Sequence, residues 1–279
     1  MNGFLATLAH ETFLQHALAG GLLAAIGCGV MGTYVVAKRI GFAAGGIAHS
    51  VLGGMGVAYF FGASPLAGAI AAALAAALLI GWVTLRRREN EDTIVAALWS
   101  VGMAVGLLFI SRTPGYNADL MSYLFGNILM VGRTDLYVMA ALDAGMILAV
   151  ALFAKQFLAV SFDEEFARVR GIRVERFHVL LLCLVALTVV VLIEVVGLIL
   201  VLALLVLPAA IAGQYRPRLS GIMALAVALG MVFSGGGLAV SFWLDLPAGA
   251  TIILLAGGAY LLSLVAGRSA WRRMHRKHA

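Results

Sequence analysis

Charge is scarce in this chain: only 11% of its 279 residues are Asp, Glu, Lys or Arg, against about a quarter in soluble domains. The three lysines, Lys38, Lys155 and Lys277, each follow a residue other than glycine. A phosphate-binding loop of the Gly-x-x-x-x-Gly-Lys-Ser/Thr type is therefore excluded, and any ATP-driven work must come from a separate chain. Only two cysteines are present, Cys28 and Cys183, both inside apolar runs. They read as small core hydrophobes rather than a disulfide. No His-Glu-x-x-His, no Cys-x-x-Cys and no Ser/His/Asp set at usable depth occurs, so the chain is not read as an enzyme. The net charge of +6 is spread through loops instead of forming a nucleic-acid patch, and the basic run 268–277 reads as a cytoplasmic stop signal. No basic region precedes the first apolar run, so no cleavable signal peptide is expected.

What is abundant is oil. Hydrophobic residues make up 63% of the chain and the mean hydropathy is +1.05, far above the roughly 45–50% apolar content of soluble domains. The fold class is all-α, a single polytopic membrane domain over residues 1–279. With about 20 apolar residues needed per crossing, the spans fall at Ala17–Ala37, at two within Ile40–Leu85 (turn at Gly62-Ala-Ser-Pro-Leu66), and at Thr93–Ser111 and Leu136–Ala154. Four more fall at Phe177–Ile193, Val195–Tyr215, Leu219–Leu244 and Leu246–Gly267, making nine. If they alternate, the loops at 38–39, 86–88, 155–176, 216–218 and 268–277 share one side and hold 17 of the 19 Lys and Arg residues. The positive-inside rule then puts these loops and the C-terminus in the cytoplasm and the N-terminus outside. The segment Tyr116–Val131 is too short to span and is expected to form a partial helix on the outer side, or an extension of the fourth span bent at Pro114-Gly115. Small residues four apart, Gly41/Gly45 and Gly102/Gly106, are expected to let helices approach closely.

One cytoplasmic loop stands apart. Residues 163–176 carry eight charges in fourteen positions, interleaved with Phe166, Val169, Ile172 and Val174. Such a run cannot lie in lipid, and its pattern suggests a short amphipathic helix that offers a surface to a soluble partner. Inside the spans, His49 is taken as the only histidine well within the membrane, among the glycines of Gly45-Gly-Ile-Ala-His-Ser-Val-Leu-Gly-Gly54. It is either a metal ligand or a packing residue bonded to a carbonyl. Asp143 reads as an interhelical hydrogen-bonder, Glu194 and Asp245 as solvated residues of outer turns, and His10 and His16 as outer-surface residues.

These pieces resemble the permease of the zinc/manganese/iron ABC importers. The resemblance rests on residues 45–54, on Asp119-Leu-Met-Ser-Tyr-Leu-Phe-Gly126 as the family's outer segment, on Asp163–Ile172 as its ATPase-coupling loop, and on Leu204-Leu-Val-Leu-Pro-Ala-Ala-Ile-Ala212. It implies a fold like that of the vitamin B12 importer permease, in a prokaryotic plasma (inner) membrane. It also implies the partners: a second permease copy (a homodimer), cytoplasmic ATPase subunits, and an extracytoplasmic protein that delivers the metal. No resident cofactor is implied; the divalent ion is cargo, with zinc placed ahead of manganese. The family's pathway site pairs an Asp with a His four residues later. Here the His is His49, but the Asp position holds Gly45, leaving Ser50, Ser100 or Asp143 to complete the shell. Asp163, Glu164, Glu165, Phe166 and Gly171 are the matching coupling residues. Two rivals remain: a permease for a metal chelate such as a siderophore or cobalamin, and a secondary transporter driven by an ion gradient.

Overall fold

The computed structural model describes residues 2–86, 91–113, 126 and 128–276. Among them the chain is helical, with no strand. Helix α1 (Asn2–His10) leads into α2 (Thr12–Lys38), followed by α3 (Gly41–Phe60), α4 (Pro65–Arg86) and α5 (Glu91–Arg112). A 3-10 turn at Ile128–Met130 precedes α6 (Arg133–Leu152). Two short helices, α7 (Ala154–Phe162) and α8 (Glu164–Val169), join it to α9 (Val174–Val196), α10 (Leu198–Tyr215), α11 (Leu219–Leu244) and α12 (Ala248–Arg276). Nine of the described helices are long and apolar enough to cross a membrane: α2 to α6 and α9 to α12. A helix is the form such runs must take in lipid, since it satisfies every backbone polar group within the segment.

The ends of the helices follow from local chemistry. Arg39 closes α2 in the left-handed region (φ 59°), with Arg39 N–H donating to Val36 and Ile40 N–H to Val35. Gly62 (φ 72°) breaks the chain after α3, and Pro65 opens α4, the position where its missing N–H costs nothing. Asp245 (φ 53°) lies in the turn between α11 and α12, exposed as expected. One expected boundary moves. The break assigned to Glu194 falls at Gly197 (φ 85°), so the backbone of Glu194 belongs to the last turn of α9. A positive φ is cheap only for glycine, so the glycine rather than the nearby charge sets the break. Of the outer segment 116–131, only Gly126 and residues 128–131 are among the described residues.

Helix α2 lies at the centre, packed against α11, α10, α6 and α9, while α3 packs chiefly between α4 and α5. Several of these contacts are backbone on backbone. A Cβ placed on Gly32 of α2 would strike the carbonyl oxygen of Leu205 in α10, and one on Gly54 of α3 would strike that of Gly68 in α4. Between α3 and α5, a Cβ on Gly53 would stand 2.8 Å from the Gly102 oxygen and one on Gly56 2.7 Å from that of Gly106. The expectation for Gly102/Gly106 therefore holds. That for Gly41/Gly45 does not: a Cβ on Gly45 would meet no atom within 4 Å, because this face of α3 looks away from the backbones of its neighbours. Both cysteines are free, with Cys28 Sγ directed at the Val201 carbonyl at 3.8 Å.

These contacts rank the glycines by tolerance. Gly32→Val should wedge α2 from α10 and destabilise the protein by about 1–3 kcal/mol or more, whereas Gly45→Ala should be neutral or slightly stabilising. The apparent melting temperatures of the two variants, read by size-exclusion chromatography in detergent after heating, check this order.

Candidate functional site

Two places in the fold hold polar side chains in arrangements that packing alone does not require. The first lies between α3 and α5. His49 is half-buried, and its imidazole stacks on the indole of Trp99 with ring centroids 4.0 Å apart and planes 8° from parallel. Trp99 is fixed in turn: its Nε1 donates to Met103 Sδ at 3.2 Å, and Phe42 leans on it at 6.2 Å. Stacking covers one face of the imidazole. Its two nitrogens lie in the ring plane, so they stay directed edgewise. Among the described residues no carbonyl accepts from His49, whose ring packs on Trp99. Trp99 was not singled out from the sequence, although an aromatic residue beside Ser100 in the fourth span was a usable signal.

The proposed companions of His49 are differently placed. Ser50 is buried and donates to Ile47 at 2.7 Å; Ser100 is exposed and donates to Ala96 at 2.9 Å. Both hydroxyls thus spend their proton on their own helix and keep only lone pairs to offer. Asp143 sits on α6, which packs chiefly against α2 and α9 rather than α3. It is 8% exposed and lines a cavity of about 210 Å³ with Thr188 and Met146. Its Oδ1 lies 2.6 Å from where a Cβ on Gly27 would stand, and its Oδ2 has no hydrogen-bond partner. Among the described residues the interhelical hydrogen bond expected of Asp143 is not made at Oδ2. No group of three His, Cys, Asp or Glu side chains converges among those residues.

His49 is not the deepest histidine. His178, near the start of α9, is 4% exposed, and both its ring nitrogens are buried with no hydrogen-bond partner among the described residues. The sequence hid this because residue 178 directly follows the charged loop. His10 is exposed, and His16 Nδ1 sits 3.2 Å from the Val131 carbonyl, so the two do not form a pair.

The second place is an elbow made by α7 and α8. Residues 155–162, expected as loop, form most of α7, which Phe157 anchors against Tyr34, Phe153 and Phe177. Asp163 Oδ1 accepts from Phe166 N–H at 2.8 Å and caps α8. Gly171 (φ 77°) closes α8: its N–H donates to Arg168 at 2.9 Å and that of Ile172 donates to Ala167 at 3.0 Å, the paired bonds of a Schellman motif. Val160, Ala167 and Val174 form a small core beneath, with Ile172 packed on it. Of the four apolar residues in the charged run, Ile172 and Val174 therefore face in. Phe166 (50% exposed) and Val169 (87%) face out, with the Arg170 guanidinium 5.1 Å above the Phe166 ring. Glu165 is exposed. Glu164 pairs with Lys38 of α2 at 3.0 Å, and the same ammonium donates to the Val160 carbonyl at 2.9 Å.

Comparison with known proteins gives consistent matches. The family model described as the ABC 3 transport family matches residues 10–267. A probable metal transport system membrane protein of Chlamydia trachomatis is 44% identical over 88% of this chain and 86% of its own. A manganese transport system membrane protein of Halalkalibacterium halodurans is 34% identical over 93% and 89%. Among solved structures, PsaBC from Streptococcus pneumoniae in complex with Fab superposes with a TM-score of 0.84 at 32% identity, covering 94% of both chains. An inward-facing metal-chelate-type ABC transporter gives 0.73 at 13% identity over 94% and 88%, a likeness of fold.

The Schellman closure at Gly171 has a measurable consequence. An L-residue in the left-handed region costs roughly 1–2 kcal/mol, so Gly171→Ala should raise amide hydrogen exchange across 163–171 by about tenfold while leaving α9 unchanged. Exchange read by mass spectrometry on the purified protein checks it.

Proposed function

The chain belongs to the ABC 3 transport family, and from that premise we propose that it is the membrane permease of an ATP-driven importer of divalent transition-metal ions. The observation that carries the cargo assignment is His49: an imidazole seated in the bundle, its ring orientation set by Trp99 and its nitrogens not spent on a carbonyl. Neutral imidazole suits zinc, manganese and iron. The sequence alone ranked zinc first. The relatives compared above are named for manganese or for metal transport, and those names do not separate the two ions. A metal chelate is the second reading, favoured by the fold shared with the chelate-type transporter.

A transit site must release its ion in every cycle, so a closed shell of four protein ligands would be a trap. One imidazole per chain, with Ser50 and Ser100 offering oxygen lone pairs nearby on α3 and α5, meets that requirement. A second copy packing along α5, whose Val101, Leu107 and Leu108 are about 60% exposed, would bring two His49 side chains to one pathway. Asp143, on the far side of α2, is a remote candidate for the same shell. The chain supplies no ATPase. Phe166, Val169 and Arg170 on α8, held by Asp163 and Gly171, are the surface proposed to dock it. Glu165 completes the charged rim, and an extracytoplasmic metal-binding protein loads the other side. The basic loops then face the cytoplasm and the N-terminus lies outside.

His49→Ala should lower metal-stimulated ATP hydrolysis and metal uptake at least tenfold in the reconstituted complex, at equal amounts of assembled protein. Gly45→Asp meets no atom within 4 Å at its Cβ, but Gly45 is buried, so the carboxylate needs the metal as its partner. The variant should tighten manganese binding more than zinc binding, because carboxylate oxygen suits the harder ion. Uptake by His49→Ala at the parental rate would remove the ligand assignment. For the docking surface, replacing Phe166 and Val169 together by Asp should strip the ATPase from the purified permease while membrane insertion stays intact. Co-purification at the parental ratio would show that α8 is not where the ATPase binds.

A further inference from the structure

Lys38 touches the elbow but has been given no role so far. It is the last residue of α2, immediately before the left-handed Arg39 that ends the helix. Its side chain is only 7% exposed, unusual for a lysine. The ammonium is held by two different pieces of the elbow. One N–H reaches the carbonyl of Val160 at 2.9 Å, in the last turn of α7, where the carbonyls lack helical partners and the helix dipole is negative. Another reaches Glu164 Oε1 at 3.0 Å, in the first turn of α8. A single cation therefore bridges the end of one short helix and the start of the next, at the point where the chain bends between them.

One other ionic contact holds α8: Arg168 pairs with Glu175 of α9 at 3.2 Å, but both side chains are more than half exposed, where an ion pair is screened by solvent. Among the described residues, the remaining side-chain contacts of the elbow with the bundle are apolar. Phe157 holds α7 by edge-on ring packing against Tyr34 of α2, with centroids 5.7 Å apart. Beneath α8, Ala167 packs on Val160 and Val174, with Ile172 and Phe177 against the same cluster. Apolar contacts of this sort are non-directional and allow sliding. The Lys38 bonds are directional, and they tie α8 to the helix that packs against α6, α9, α10 and α11. We propose that Lys38 is the positioning residue that transmits movement of the docked α8 helix into α2, and so couples ATP hydrolysis to opening of the pathway. The Glu164 carboxylate receives the pull and the Val160 carbonyl keeps the ammonium aligned. This rests on the docking of the ATPase at α8 proposed above.

The test uses the full complex in proteoliposomes, with ATPase subunits, extracytoplasmic binding protein and manganese as the cargo probe. Ions imported per ATP hydrolysed are measured beside the amount of ATPase retained on purification. Lys38→Met is expected to keep the ATPase bound and hydrolysing but to lower ions per ATP at least tenfold. Lys38→Arg, which keeps a buried donor, should recover most of that ratio. Glu164→Gln, which leaves the Val160 bond and the fold in place, should fall between them and supplies the answer if Lys38→Met does not assemble. An unchanged ratio in both Lys38→Met and Glu164→Gln, or in Glu164→Gln alone where Lys38→Met does not assemble, would overturn the proposal. Failure of the docking reading is seen separately, as retention of the ATPase when Phe166 and Val169 are replaced.

Discussion

Where α3 meets α4 and α5, and where α2 meets α10, one helix rests its carbonyl oxygens on the bare α-carbons of the next. Lipid tails are as apolar as leucine, so no hydrophobic gain pulls helices together within a bilayer. Close packing of this kind must do so instead. The remaining arrangement follows from these contacts. They draw α3 and α5 near enough for His49 to lie flat on Trp99, and they fix α2 as the element touched by most of the bundle.

Much of this was legible in the sequence because hydropathy and loop charge are long-range signals. The nine spans, the free cysteines, the Asp245 turn and the short amphipathic helix of the charged loop could all be placed. What could not be read depended on the direction of a side chain or the sign of a torsion. Glu194 drew the boundary that Gly197 in fact sets. Gly41 and Gly45 match the spacing of a helix-contact motif, yet they face no backbone, since spacing does not say which face of a helix meets a neighbour. His49 was taken as the only histidine well within the membrane, yet His178, two residues past the charged loop, is more deeply buried. Within the charged run, pattern showed amphipathicity but not which apolar residues point inward. That required the Schellman closure at Gly171, which turns Ile172 onto Ala167.

The site was legible to a different degree. His49 and its glycines stood out because an ionisable group in lipid is costly. Trp99 did not, because an aromatic residue in a span is common and its partner lies on another helix. Asp143 attracted attention for the same reason as His49, but the fold sets it against Gly27 on α2. A carboxylate and an imidazole can be equally rare in a sequence without sharing a place in space.

The open ground beside Gly45 bears on how such a transporter changes over generations. Glycine encoded by GGT or GGC becomes aspartate through one nucleotide, and at the glycines where helices touch, such as Gly32, Gly53 and Gly54, such a change would break the packing. At residue 45 it meets no neighbour. A lineage carrying this chain can therefore sample a side chain beside His49 without a steric clash at its first atom. The chemistry of this stretch of α3 is left open to selection in a way that its helix contacts are not.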